Sequence, residues 1–257
     1  MKTRTFLFLL VLFGCAVASV AAQSVANPYD GNKEALALNE QGAAQFRAGH
    51  YDQAIELFGR ALQLDPDFVV ALNNLGATYN ALGEYDKAVT FLQRALRLQP
   101  NYAEAHYDLA VAFAGRHRYR DAINACQQAL RLQPGFYQAA NGLGVAYDEL
   151  GQRHEAIDAY RRSLAMKSDN AEAWNNLGTA QVELRNYPDA FNSFERALEL
   201  KPEFALARYN LGVTMVRSNR REGALAQYAL LKNFDNALAA KLYAGIYRGK
   251  VLTVASK

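Results

Sequence analysis

The chain is poor in cysteine and proline, with two cysteines and six prolines among 257 residues. Two cysteines are too few for a scaffold built on several disulfides. The formal net charge is only +3, so the chain lacks the concentrated positive charge of a nucleic-acid-binding domain, and we expect no nucleic acid among its partners. A hydrophobic content of 51% and an aromatic content of 11% exclude a disordered chain.

Motifs for catalysis and metal binding are missing as well. The chain has no His-Glu-x-x-His, no Gly-x-Ser-x-Gly and no glycine-rich phosphate loop. The four histidines, His50, His106, His117 and His154, are scattered without the spacing of metal ligands. We therefore predict a protein that is not an enzyme, with no catalytic residue, no metal site and no cofactor.

Residues 1–22 have the pattern of a secretory signal peptide. Lys2 and Arg4 precede an apolar run at residues 6–13, and small residues accumulate up to Ala22. We predict cleavage after Ala22 and export to the periplasm or the extracellular space. Subtracting Lys2 and Arg4 from a charge of +3 leaves +1 for the mature chain.

A second interpretation of this segment stays open. Leu12-Phe13-Gly14-Cys15 resembles the cleavage box of bacterial lipoproteins, in which the cysteine is lipidated. In that case the chain is a lipoprotein anchored through Cys15, and only then is a membrane among its partners. In either case residues 23–34 form a short polar lead-in.

The rest of the chain repeats with a period of 34 residues. When the repeats are aligned, alanine occupies one position in all six. Glycine, proline and tyrosine each occupy a further position in most of the repeats, and such a shared position is called a column here. Several independent columns that agree on one period indicate a helical-repeat array. The alanine column is Ala54, Ala88, Ala122, Ala156, Ala190 and Ala224. The predicted repeats are 35–68, 69–102, 103–136, 137–170, 171–204 and 205–238.

Each repeat is predicted to contain two helices. In the second repeat, Leu72, Gly76 and Tyr79 fall on one helical face, Gly83 marks a turn, and a second helix runs over residues 85–98. A helix of about fourteen residues is marginal alone, so neighbouring helices must stack. The recurring glycine inside the first helix, as at Gly76, predicts a close approach of the two helices.

A further column predicts the core between the paired helices. It contains large apolar residues in five repeats and a cysteine in the third, so we expect Cys126 to be a buried, unreactive thiol. The column comprises Phe58, Leu92, Cys126, Tyr160, Phe194 and Tyr228.

The fifth repeat carries a family resemblance. The run Ala171-Glu-Ala-Trp174-Asn-Asn-Leu177-Gly178, followed by Ala190, Phe194, Ala197 and Pro202, resembles the tetratricopeptide repeat (TPR). The resemblance implies an all-α TPR solenoid of six helix-turn-helix repeats. A capping helix at 235–248 and a tail at 249–257 complete the predicted chain. In similar proteins, the first helices line a concave groove that binds peptides or partner proteins.

Polar side chains follow the predicted groove side of the first helices. Asparagine amides both donate and accept hydrogen bonds, so they can hold an extended backbone whatever its sequence. The pattern is similar to the asparagine ladder of O-GlcNAc transferase, interrupted here by an aspartate and a glycine. Equally, asparagine before Leu-Gly is common in this repeat. The candidate residues are Asn74, Asp108, Asn176 and Asn210.

Carboxylates collect along the same predicted groove. They favour a protein or extended peptide of neutral or basic character. These candidate residues are Glu104, Glu149, Glu172 and Glu183. We therefore predict a non-enzymatic scaffold of the cell envelope that binds a partner segment in its groove. The alternative, six repeats behind a lipidated Cys15, resembles outer-membrane pilotin lipoproteins that assist assembly of a secretion or pilus complex.

Overall fold

A computed structural model describes residues 32–248 and residue 254. The predicted signal peptide, its cleavage site, Cys15 and most of the lead-in and of the C-terminal tail lie outside the described residues. The described part contains thirteen α-helices and no β-strand. The all-α class predicted from the 34-residue period is therefore confirmed.

The helices are numbered in chain order. Their bounds are α1 Lys33–Arg47, α2 Tyr51–Leu64, α3 Val69–Ala81, α4 Tyr85–Leu98, α5 Ala103–Gly115, α6 Tyr119–Leu132, α7 Tyr137–Glu149, α8 Arg153–Met166, α9 Ala171–Glu183, α10 Tyr187–Leu200, α11 Ala205–Arg217, α12 Arg221–Leu231 and α13 Asn236–Arg248. Along the sequence, helices α1 to α12 fall two to each predicted repeat and are treated as pairs. The odd-numbered member of each pair is its first helix.

The turn inside each pair uses the left-handed backbone conformation. Gly49, Gly83 and Gly151 have φ between 75° and 79°, which agrees with the turn predicted at Gly83. The same conformation is held without glycine by His117, Arg185 and Asn219, with φ of 58°, 59° and 61°. All six repeats thus end their first helix in the same way.

The chain divides into two compact units, residues 1–146 and 147–257, with the boundary inside α7. In the first unit, consecutive helices from α1 through α6 pack against one another. In the second unit, the same holds from α8 to α13, and α11 also contacts α13. Within each unit this is the nearest-neighbour packing of a helical solenoid.

Small residues let the two helices of a repeat approach closely. Every member of the alanine column is fully buried. A Cβ atom added at Gly76 would lie 2.6 Å from Cγ of Leu92, and one at Gly178 would lie 2.7 Å from Cε1 of Phe194. The third repeat has Ala110 at this glycine position, opposite the smaller core residue of its column, Cys126, and both are fully buried.

The sixth repeat departs from the pattern. Helix α12 is shorter than the other second helices, and a Cβ atom added at Gly212 would meet Cδ2 of Leu242 at 2.5 Å rather than Tyr228. Leu242 of α13 thus fills the space that the core column fills elsewhere. Tyr228 was predicted to be a core residue, but it is only half-buried. Asp235 caps α13 by accepting hydrogen bonds from the backbone amides at 237 and 238.

Candidate functional site

The first helices of successive repeats contact one another directly. Helix α3 lies between α1 and α5 in the first unit, and α9 contacts α11 in the second. Each unit therefore has a continuous surface of first helices, termed here the first-helix face. In the first unit its candidate residues are Asn74, Glu104 and Asp108. In the second unit they are Glu149, Glu172, Asn176, Glu183 and Asn210.

The amide side chains on this face link neighbouring repeats. Nδ2 of Asn74 donates to Oδ1 of Asn39 at 2.9 Å, and Nδ2 of Asn210 donates to Oδ1 of Asn175 at 2.9 Å. Each bond joins residues 35 positions apart. It therefore connects adjacent columns of two successive first helices, and the same link recurs in both units.

These links place most of the candidate amides below the surface. Asn210 is fully buried, Asn176 is 3% exposed and Asn74 is half-buried. A buried amide that has lost its partner costs about 1–3 kcal/mol, so each link fixes the register of two repeats. In the structure Asn74 and Asn210 thus link neighbouring repeats, a role that the sequence analysis did not predict.

Asp108 occupies the equivalent link between the second and third repeats. Its Oδ2 accepts a hydrogen bond from Nδ2 of Asn73 at 3.1 Å, and its backbone oxygen accepts one from Nδ2 of Asn80 at 2.8 Å. Burial raises the pKa of Asp108 to about 7, and the charge of Glu104 adds to this rise while the bond from Asn73 opposes it. Asp108 therefore titrates near neutral pH at the buried contact between two first helices.

The carboxylates of the candidate set remain accessible. Glu149 and Glu183 are exposed, and Glu104 and Glu172 are half-buried. Two cations lie near them, since Nη1 of Arg217 is 3.1 Å from Glu183 and Nζ of Lys201 is 3.9 Å from Glu172. Such exposed pairs contribute little to stability, because both partners stay solvated. They do reduce the negative charge of the face in the second unit.

One column has a structural role that the sequence did not reveal. Nε2 of His106, Nε1 of Trp174 and Nη2 of Arg208 each donate to the carbonyl six residues earlier, at 2.8–2.9 Å. The three acceptors are Pro100, Ser168 and Pro202, which occupy the turn before the first helix. In all three repeats a side chain that can donate stands six residues after the turn residue, and this spacing could have predicted the hydrogen bond.

The remaining reactive side chains take no part in the first-helix face. Burial raises the pKa of the Cys126 thiol to about 12, so the thiolate does not form at neutral pH. Within residues 32–248 and 254, no three histidine, cysteine or acidic side chains are grouped so that they could hold a metal ion. None of the described helices is long and apolar enough to cross a membrane.

Sequence profiles of known families match most of the repeat region. Three profiles, each described as tetratricopeptide repeat, match residues 45–112, 107–171 and 171–204. The chain belongs to the tetratricopeptide repeat family. Together the matches span well over half of this TPR protein. A comparison with curated proteins returned no match.

Solved structures with a similar fold are also found. The TPR chain is 30% identical to MamA, with a TM-score of 0.56 over 63% of this chain and 94% of MamA. It also resembles pilF of Pseudomonas aeruginosa, at 18% identity and a TM-score of 0.72 over 82% of this chain and 97% of pilF. A third structure is YrrB, described as a TPR protein with an unusual peptide-binding site, at 23% identity and a TM-score of 0.58 over 72% of this chain and 97% of YrrB. At these identities, pilF and YrrB show the shared fold alone.

Proposed function

We propose that this TPR protein is a non-enzymatic scaffold that holds a segment of a partner protein against its first-helix face. The observation that carries the proposal is the set of accessible carboxylates on that face: Glu149, Glu172 and Glu183 in the second unit and Glu104 in the first. Because carboxylates repel acidic groups and attract basic ones, the partner segment is neutral or basic. The peptide-binding site named for YrrB is consistent with this use of the fold.

The buried amides support binding indirectly in this proposal. Asn74 and Asn210 hold successive first helices in register, so the carboxylates above them keep fixed spacings. A rigid face loses little conformational entropy when a partner binds. Recognition therefore depends on the carboxylates and on the backbone of an extended partner.

Charge reversal on the first-helix face tests the proposal. The variant Glu149→Lys/Glu183→Lys is compared with Glu155→Lys/Glu195→Lys, which reverses two exposed carboxylates on the second helices α8 and α10. Both variants change the net charge equally. We expect affinity capture of the partner from native envelope extract to fail for the first variant and to persist for the second. Equal capture by both variants would contradict a role for the face.

The same proposal places the protein in the cell envelope. Its support is the pattern of residues 1–22, a basic start, an apolar run and a small-residue end. Mass analysis of the mature N-terminus tests this directly. A chain beginning at Gln23 supports export as a soluble protein. A diacylated Cys15 supports the lipoprotein alternative and its pilotin-like role in assembly, and an intact Met1 would contradict both.

A further inference from the structure

A pocket of about 310 Å³ opens between α12 and α13, and none of the candidate carboxylates lines it. Its wall is built from two tyrosines and three alanines, with a lysine and an asparagine contributing the polar groups. The lining residues are Tyr228, Lys232, Asn236, Ala239, Ala240, Tyr243 and Ala244. A volume near the lower limit for ligand sites holds one large side chain rather than a cofactor.

The pocket results from the irregular end of the sixth repeat. Leu242 fills the space beside Gly212 that the core column fills in other repeats, and this leaves Tyr228 half-buried at the surface. The Tyr228 ring lies 5.4 Å from the Tyr243 ring, and Tyr243 lies 4.6 Å from Tyr247. Tyr243 and Tyr247 are 39% and 48% exposed. Three neighbouring tyrosine rings thus form an apolar wall that solvent reaches.

Two cations lie against this wall. Nζ of Lys232 lies 6.0 Å from the centre of the Tyr228 ring, and the Arg221 guanidinium lies 4.9 Å from that of Tyr247. Residues 220–248 contain five lysines and arginines against two acidic residues. One of these two, Asp235, is engaged in capping α13. The surface around the pocket therefore attracts negative charge.

We propose that the α12–α13 pocket binds an acidic segment of a partner protein through one aromatic side chain. The ring enters between Tyr228 and Tyr243, where aromatic rings pack edge to face or offset. Flanking carboxylates of the segment meet Lys232 and Arg221 in charge-assisted hydrogen bonds. This site has the opposite charge preference from the first-helix face, so one molecule holds a basic and an acidic partner segment at separate places.

The test uses the mature chain and a fluorescein-labelled peptide, Glu-Asp-Glu-Phe-Glu-Asp-Glu, in a fluorescence-anisotropy titration. The variant Ala240→Trp fills the pocket from an exposed position, and Ala229→Trp places the same side chain at an exposed position on α12 outside it. We expect Ala240→Trp to weaken binding by about tenfold or more, since an anchor pocket carries much of the binding energy. Ala229→Trp should bind like the unmodified protein.

Two further comparisons distinguish binding of the aromatic side chain in the pocket from general attraction between charges. Replacing the phenylalanine of the peptide by alanine should weaken binding about as much as Ala240→Trp does, and Lys232→Glu should weaken it as well. The charge-reversed first-helix variant Glu149→Lys/Glu183→Lys should leave the affinity for this peptide unreduced. Any of three results would overturn the proposal. They are a titration without saturable binding, equal affinity of both tryptophan variants for the peptide, and an affinity that does not change when the phenylalanine is replaced by alanine.

Discussion

His117 and Arg185 hold the left-handed conformation that glycine holds at the same turn in three other repeats. A side chain in this conformation carries a steric penalty that glycine avoids. The shared turn geometry is set by the repeat and not by the residue. Two turns of the array therefore store a small amount of backbone strain.

Arg185→Gly should therefore stabilise the protein by about 0.5–1 kcal/mol. Urea denaturation monitored by circular dichroism measures the change. Arg162→Gly serves as the matched control, because Arg162 is an exposed arginine inside α8. There glycine should destabilise by about 1 kcal/mol. Equal destabilisation by both substitutions would show that the turn does not favour glycine.

Asp108 predicts a pH dependence of stability. Its pKa is about 7 in the folded protein, against 3.8 for the ordinary group, so the folded state holds a proton that the unfolded state releases between about pH 4 and pH 7. Stability should then fall as the pH rises through this window and level off above it. At about 1.4 kcal/mol per pKa unit, the fall is at most about 4 kcal/mol.

Asp108→Asn should remove this fall, because a neutral amide still accepts the bond from Asn73 but never ionises. The measurement is the free energy of unfolding at pH 5 and at pH 8. Asp158→Asn, at an exposed position on α8, is the control and should keep the pH dependence of the unmodified chain. An unchanged slope in Asp108→Asn would mean that other groups cause it.

At the scale of the helix pair, the glycine position and the core column are coupled. Gly178 accommodates the ring of Phe194, whereas the third repeat combines Ala110 with the smaller Cys126. In the third repeat the larger residue at the glycine position is thus matched by a smaller core residue. Close packing at this contact predicts that the two positions compensate for one another.

A double-mutant cycle measures this coupling. Gly178→Ala alone should destabilise by about 1–3 kcal/mol, because its Cβ would overlap Phe194. In a Phe194→Cys background, the same glycine substitution should be neutral or stabilising, since the ring is gone and alanine favours the helix. Chemical denaturation of the four proteins gives the coupling energy. Additive effects would refute close packing at this contact.

Much of the helical architecture could be predicted from residue periodicity alone. The second helix of the second repeat was predicted at 85–98 and runs from Tyr85 to Leu98. Periodicity works here because every repeat has a left-handed turn at the same position, and proline follows the second helix in four of the six repeats. It fails at Tyr228, since Leu242 comes from outside the repeat and takes its place.

The candidate site was less predictable, for a physical reason. A helical wheel places Asn74 opposite the core of its own repeat, but it does not show that the first helix of the neighbouring repeat lies against that side. The amide links from Asn74 and Asn210 therefore appear only when successive repeats are packed together. The accessibility of the glutamates was easier to predict, because long charged side chains reach solvent from most positions on a helix surface.

For the whole molecule, charge is divided between surfaces rather than expressed in the total. Lysine and arginine number 28 and acidic residues 25, and this near balance conceals the acidic character that we propose for the first-helix face and the excess of basic residues in α12 and α13. Binding to each surface should weaken with salt, since exposed charges are screened within about 10 Å at 0.1 M ionic strength. The near-neutral total is consistent with two local specificities of opposite sign.

Site-specific photo-crosslinking tests the central proposal most directly. A benzophenone amino acid is placed in turn at Glu149, at Glu183 and at Glu195, the last on the second helix α10. Each protein is irradiated with its captured partner, and the adducts are mapped by mass spectrometry. Binding on the first-helix face predicts partner adducts at 149 and 183 and none at 195. Adducts at 195 alone would show that the partner binds elsewhere and contradict the account.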